Sequence, residues 1–234
     1  MTAAPDYAEE AAWYGALLRE HVRRPLQRVL ELGCGAGANA SHLRRSLEVV
    51  GVDLAPAMLK ECARLNPDME LHEGDMRTIR LGRRFDAVFV HDALSYMLDE
   101  SDARAVVNTV VAHLEPGGIA LLCPDDTWEN FTPGTESGGH DAPDGRGVRY
   151  LDWSTPGPAT TIHTDYAYIL RAPDGTVRVE HERHVTGRLH QATWLSAMKD
   201  SGLESQMLEL EHSEVESGSH HVFVGVRPRD SHDG

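Results

Sequence analysis

Between Leu32 and Asn39 the chain runs Gly33-Cys34-Gly35-Ala36-Gly37-Ala38. Glycines at this density let the backbone turn sharply and let a ligand lie against it with no side chain between. A helix beginning at Ala38 adds free N–H groups at the same place. Gly33, Gly35 and Ala38 also satisfy the dinucleotide spacing G-x-G-x-x-G/A, so the loop alone leaves the nucleoside open. Three acids narrow the choice. Asp53 closes the next apolar run, where a carboxylate can accept hydrogen bonds from both hydroxyls of a ribose. Asp75, in Glu73-Gly74-Asp75-Met76, stands where it can accept one from an exocyclic amine. Glu31 directly precedes the loop, where a phosphate would make an acid unwelcome. Three acids around one nucleoside pocket favour a positively charged nucleoside over NAD.

The elements that must position these residues alternate. Residues 28–32, 48–53, 69–73, 85–91 and 119–123 read as short strands, with helices expected at 38–47, 55–66 and 101–114. Leu54, Met58, Cys62 and Leu65 fall on one face of the second of these helices. Strand and helix in turn predict right-handed crossovers and a doubly wound α/β sheet with helices on both faces. Residues 6–23 are expected to add a helix ahead of the first strand. After Pro124 the pattern changes. Residues 125–158 are rich in Gly, Pro, Asp and Thr without apolar period, which reads as a lid loop. Residues 160–170 and 176–186 alternate around the turn Pro173-Asp174-Gly175 and predict an antiparallel hairpin with one face covered. A short helix (191–201) and strands at 207–211 and 220–226 close the domain, and the tail 227–234 reads as frayed. The whole is read as one domain over 1–234, with an N-terminal helix within 1–24 and an insertion over 125–189.

Glu31-Leu32-Gly33-Cys34-Gly35-Ala36-Gly37, Gly51-Val52-Asp53, Glu73-Gly74-Asp75-Met76 and Pro116-Gly117-Gly118 resemble, in order and spacing, the successive motifs of class I S-adenosylmethionine-dependent methyltransferases. The resemblance implies a Rossmann-like seven-stranded sheet whose last strand is antiparallel. It implies that Gly33, Gly35 and Gly37 line the methionine part of the cofactor, that Asp53 holds the ribose, and that Asp75 and Met76 flank the adenine. His91, Asp92, Ala93 and Tyr96 then face the sulfonium and the acceptor. The cofactor set read this way is completed by Tyr14, Glu31, Cys34, Leu54, Met58 and Gly74, although taken singly Cys34 reads as loop filler and Met58 as core. The helix carrying Tyr14, the stretch Leu71–Arg77 and the inserted hairpin are similar to natural-product enzymes that dimethylate the amino group of nucleotide-linked aminosugars. The fourth-strand end His91-Asp92-Ala93-Leu94-Ser95-Tyr96 and the lid segment Gly138-Gly139-His140-Asp141 depart from that group.

Transfer of a methyl from a sulfonium requires alignment of the nucleophile and loss of its proton. A hydroxyl needs a base for that, whereas an amine needs no strong one. His140 is the candidate base, since histidine titrates near neutrality, its alternative being a solvated loop histidine, with Asp92 as second catalytic candidate. Asp92 serves equally as a cap for the turn that follows it. No third residue has a spacing that makes His140 and Asp141 a metal site. Four histidines, His163, His181, His184 and His190, cluster around the hairpin, which either covers the site or pairs with a second subunit. Tyr166 and Tyr168 read as packing.

Composition excludes other classes. The net charge is −15, from 22 Lys plus Arg against 37 Asp plus Glu. It disfavours a phosphate backbone or an anionic membrane as partner and leaves a small-molecule acceptor. No apolar run reaches the ~20 residues of a spanning helix, and residues 1–10 lack the order of a signal peptide. Cys34, Cys62 and Cys123 fit neither a disulfide framework nor a zinc pattern, which places the chain in the reducing cytoplasm. An NAD(P)-dependent oxidoreductase on the same loop normally wants Tyr-x-x-x-Lys, but Tyr96 is followed at that spacing by Glu100. The two lysines, Lys60 and Lys199, fall on expected helices away from the loops. A nucleoside-binding scaffold without chemistry is the third reading.

Overall fold

The computed structural model describes residues 6–209 and 220–229. Helix α1 (Asp6–His21) leads into β1 (Arg28–Leu32), α2 (Ala38–Leu43), β2 (Glu48–Asp53), α3 (Pro56–Leu65), β3 (Glu70–Glu73) and β4 (Phe85–His91). A 3-10 turn (Ala93–Tyr96), α4 (Glu100–His113) and β5 (Leu114–Cys123) follow. An inserted run of strands comes next: β6 (Ser137–Asp141), β7 (Gly147–Pro156), β8 (Thr161–Arg171) and β9 (Val177–Gly187). Then α5 (Gln191–Asp200), β10 (Glu204–Glu209) and β11 (His221–Val226) complete the fold.

The seven-stranded sheet has the order β10-β11-β5-β4-β1-β2-β3. β1 to β5 run parallel, and β11 enters antiparallel between β5 and β10. The buried strands read as continuous apolar runs because both faces are covered. Leu30, Leu32, Val88, Val90, Leu122 and Phe223 meet α4 and α5, while Val29, Val49, Phe89, Leu121 and Val224 meet α1 and α2. The order reverses between β1 and β4, and an open α/β sheet forms its ligand crevice beyond the carboxyl ends at such a point.

The expected hairpin is present as β8 and β9, with register Thr161↔Gly187 through Arg171↔Val177. Residues 125–158 correct the expectation of a loop. They supply β6 and β7, so the insertion is a four-stranded antiparallel sheet β6-β7-β8-β9. β6 and β7 are mostly exposed and bury no continuous apolar face, which is why no period announced them. The covered face of the hairpin is that of Ile162, Thr164 and Tyr166; Val179 on the other face is 70% exposed. The second sheet is anchored over the carboxyl edge of the first. Gly187 passes so close to the carbonyl of Met97 that no side chain fits between them, and the Thr160 hydroxyl donates to the Leu98 carbonyl at 2.7 Å. Helix α2 ends earlier than expected, and residues 210–211 and 230–234 of the expected last strands and tail lie outside the described residues.

Candidate functional site

The glycine loop is pinned from below. The N–H groups of Gly33 and Cys34 donate to the Val52 carbonyl at 2.8 and 2.9 Å. Gly33 has φ 73°, and a Cβ there would stand 2.2 Å from that of Ala93, so only glycine lets β1 and the end of β4 come together. Asp53 fastens the loop to β2: one carboxylate oxygen accepts from Gly35 N–H and the other from Ala55 N–H, both at 2.8 Å. Each oxygen keeps a second lone pair for a diol beyond the strand. Helix α3 begins behind this point, with Leu54 and Met58 left 65% and 40% exposed because their face of the helix opens onto a cavity instead of the core.

Glu31 lies at the end of β1 with 3% of its surface accessible. Burial pushes its carboxyl up to about 8, and its Oε2 has no hydrogen-bond partner among the described residues. The amide Oδ1 of Asn39 is likewise buried and unpaired. Two orphaned acceptors on one cavity wall call for a ligand that brings donors, and an ammonium group returns Glu31 to its charged form. Across the cavity, Asp75 is held by Arg77, whose guanidinium donates to it at 2.7 Å while also reaching Asp102 at 2.8 Å. That pairing keeps the Asp75 carboxylate below its ordinary range.

At the ends of β4 and β5 the side chains form a chain of charges. His91 Nε2 lies 2.8 Å from Glu10 of α1, and His91 Nδ1 lies 2.8 Å from Asp92. Burial opposes a charged ring, but these two carboxylates outweigh it and lift the imidazole to about 10. Asp92 does not cap the following turn. Its φ of 48° turns its carboxylate to His91 and to a hydrogen bond with Asp125, just beyond β5. The Ser95 hydroxyl donates to Asp125 at 2.8 Å. Desolvation within the cavity, then the negative charge of Asp92, hold the Asp125 carboxyl above the ordinary carboxylate range.

These groups line a single cavity of about 810 Å³, roofed by Tyr166, His184 and Thr186 of the second sheet. Glu31, Gly33, Cys34, Gly35, Asp53, Leu54 and Met58 stand on its wall beside β1 and β2, with Gly74, Asp75 and Met76 after β3 and His91, Asp92, Ala93 and Tyr96 after β4. Three expected residues stand elsewhere. His140 lies on β6, the exposed edge strand of the second sheet, and is not among the residues of the cavity wall. Tyr14 is buried beneath the cavity floor, its ring against Phe89 and His91 and its hydroxyl donating to Glu10 at 2.9 Å. Its contact with a cavity-lining residue is the ring of His91. Gly37 lies under the loop, where its φ of 79° and the packing of Cys62 and Asn66 leave no room for a Cβ; Asn66 donates to its carbonyl at 2.9 Å.

Sequence reasoning missed Asp125, Ser95 and Arg77, and it assigned Tyr166 to packing. Asp125 is the first acid after the strand that neighbours β4, and that position at the carboxyl edge was the available signal.

Residues 29–118 match the family model of a methyltransferase domain. The chain is 32% identical over 206 residues to the dTDP-3-amino-3,6-dideoxy-alpha-D-glucopyranose N,N-dimethyltransferase of Streptomyces fradiae, covering 87% of this chain and 80% of that protein. It is 31% identical to the dTDP-3-amino-3,4,6-trideoxy-alpha-D-glucopyranose N,N-dimethyltransferase of Streptomyces venezuelae, with 87% and 86% covered. Among solved structures, the sugar N-methyltransferase KedS8 from Streptoalloteichus superposes with a TM-score of 0.85 at 27% identity, over 96% of this chain and 89% of that one. The amino pentose methyltransferase CalS10, solved with S-adenosylmethionine bound, superposes with a TM-score of 0.80 at 27% identity, over 94% and 91%.

Proposed function

The chain belongs to the S-adenosylmethionine-dependent methyltransferases, and we propose that its acceptor is the amino group of a nucleotide-linked aminosugar, methylated in two rounds. The reductase and scaffold readings fall away with that membership. The enzyme uses S-adenosylmethionine and acts on a small molecule in natural-product metabolism. The amine and the nucleotide-linked sugar are what its relatives' names support. The observation that carries nitrogen over oxygen is the acidic end of the cavity. Asp92, Asp125 and His91 line that end of the cavity, and His140, the base a hydroxyl would call for, stands off its wall on β6.

The orphaned Glu31 Oε2 fits a cofactor that carries an ammonium, and the acids fit its positive charge. We assign Glu31, Asn39 and the loop Gly33–Gly35 to the methionine part, Asp53 to the ribose, and Leu54, Met58, Gly74, Asp75 and Met76 to the adenine side. His91, Ala93 and Tyr96 border the reacting centre. Bound there, S-adenosylmethionine supplies a methyl group already activated by its sulfonium. The protein's own residues orient the amine, through Asp92 and the aromatic roof of Tyr166 and His184, and exclude water beneath the second sheet. Calorimetry with S-adenosylhomocysteine tests the pocket. Tight binding by the wild type, lost about 10²-fold in Asp53→Ala through two missing hydrogen bonds to the cofactor, is expected; unchanged binding contradicts it.

We further propose a single domain with an insertion at 125–189, paired as a homodimer through the outer face of the second sheet. Leu151, Trp153, Ile169, Val177, Val179 and Val185 leave that face apolar, between 41% and 70% exposed. A patch of this kind marks an interface, and the Asp165–Arg183 pair within it lets a copy related by a two-fold axis meet like with opposite. The three cysteines are buried and free, in keeping with a cytoplasmic enzyme. Among the described residues no helix is long and apolar enough to cross a membrane, and the net charge of −15 leaves nucleic acid out of the proposed partners.

A further inference from the structure

An acceptor amine reaches a neutral active site mostly as an ammonium ion, which has no lone pair to attack with. The cavity contains a device suited to this problem. Asp92 and Asp125 are hydrogen-bonded to each other where β4 and β5 end. Asp92 looks into the cavity with 54% of its side chain open. Behind Asp92 stand His91 and Glu10 in series, each contact 2.8 Å long. Beside Asp125 stands the Ser95 hydroxyl, also at 2.8 Å.

We propose that Asp125, paired with Asp92, is the proton acceptor of the reaction, taking one proton from the acceptor ammonium in each round of methylation. The inference rests on the amine reading above and adds the residue that makes the amine reactive. In the step, Asp125 first releases to water at the cavity mouth the proton it shares with Asp92; an N–H bond of R–NH3+ then breaks and an O–H bond forms on the Asp125 carboxylate, leaving R–NH2. The nitrogen lone pair then bonds to the methyl carbon as the carbon–sulfur bond breaks and its electron pair returns to sulfur. The positive charge passes to the methylated nitrogen, and Asp125 gives its proton to water at the cavity mouth. The second round repeats the step from R–NH2+–CH3.

The two carboxylates divide the work. The charged His91 ring faces Asp92 and keeps its carboxyl low, so Asp92 remains an anion that attracts the ammonium. Asp125 faces Asp92 and so has the greater proton affinity of the two. Cys123 lies beneath, its thiol held neutral by burial, with Glu10 beyond it. Across the cavity the second sheet presents His184 and Tyr166. Ser95 donates to the ionised form of Asp125 and moderates its basicity.

The test is the pH profile of kcat/KM with the dTDP-linked 3-aminosugar named for the Streptomyces fradiae relative, in the full chain. Asp125→Asn is expected to lose about 10²-fold near pH 6.5, the scale of a general base. The loss shrinks as pH rises and the amine deprotonates in solution, so the activity limb moves to the free amine's pKa. Ser95→Ala removes a donor to the carboxylate and shifts the wild-type limb to higher pH. S-adenosylhomocysteine binding by Asp125→Asn reports that the variant folds; if it does not bind, the Ser95→Ala limb decides. A loss in Asp125→Asn that is equal at every pH, no loss at all, or an unmoved limb in Ser95→Ala overturns the assignment. A wild-type enzyme that methylates no amine overturns the underlying reading, and the assignment with it.

Discussion

At the residue scale the cavity is a set of acids in different states. Asp53 spends one lone pair of each oxygen on the backbone and keeps the others, Asp75 is neutralised by Arg77, and Glu31 is buried without a cation. Sequence spacing found all three because each ends a strand or starts a loop in a motif of fixed length. It could not find Asp125, one acid among several in a Gly- and Pro-rich stretch, because the evidence for it is a contact with Asp92 from another strand. It chose His140 for its side-chain chemistry, and chemistry alone says nothing about direction. His140→Ala should therefore retain wild-type kcat/KM within about 2-fold in a methyl-transfer assay, since it stands off the cavity wall on the edge strand of the second sheet. A loss comparable to removal of a base would place β6 over the acceptor. Gly33→Ala should abolish S-adenosylhomocysteine binding, because both its φ of 73° and the 2.2 Å approach to Ala93 forbid the added methyl.

At the scale of elements, the parallel half was legible because buried strands and two-sided helices leave periodic apolar patterns, and five of its strands stand where the periods put them. Strands β6 and β7 were not, because backbone pairing in an exposed sheet needs no apolar face. Helix α1 was expected, but its attachment to β4 was not. That attachment consists of Glu10, His91 and the buried Tyr14 ring. Its pH dependence has two edges. His91 is raised to about 10, so its contribution is complete below an ordinary histidine value of about 6.5 and is lost as pH rises through about 10. Glu10 and Asp92 are lowered, so their share is present above about pH 4 to 5 and is lost on acidification. Glu10→Gln should lower stability at neutral pH by about 2 kcal/mol, roughly 5 °C in Tm. It should also bring the alkaline loss to lower pH, read by thermal melts across pH. An unchanged melting curve would mean that α1 is held by its apolar contacts alone.

For the whole molecule, the seven-stranded sheet forms a crevice at the β1/β4 reversal and the second sheet closes over it, which is where the proposed function has acceptor and cofactor meet. The outer face of that second sheet then becomes the molecule's exposed apolar surface. Val179→Glu combined with Trp153→Glu should halve the mass seen by sedimentation while leaving S-adenosylhomocysteine binding intact, because both side chains point away from the cavity. A wild type that already sediments as a monomer contradicts the dimer. The charge of −15 takes on a local meaning at this scale, since the acids that line the cavity suit two cations, a sulfonium and an ammonium.

The central claim is transfer of methyl groups to an amine in that cavity. Its most direct measurement is mass spectrometry of the acceptor after incubation of purified protein with trideuteromethyl-labelled S-adenosylmethionine and the dTDP-linked 3-aminosugar. The account predicts a product carrying two labelled methyl groups on the sugar nitrogen, with one S-adenosylhomocysteine formed for each. Label on a hydroxyl, or an acceptor that gains no mass while the cofactor binds, would contradict it.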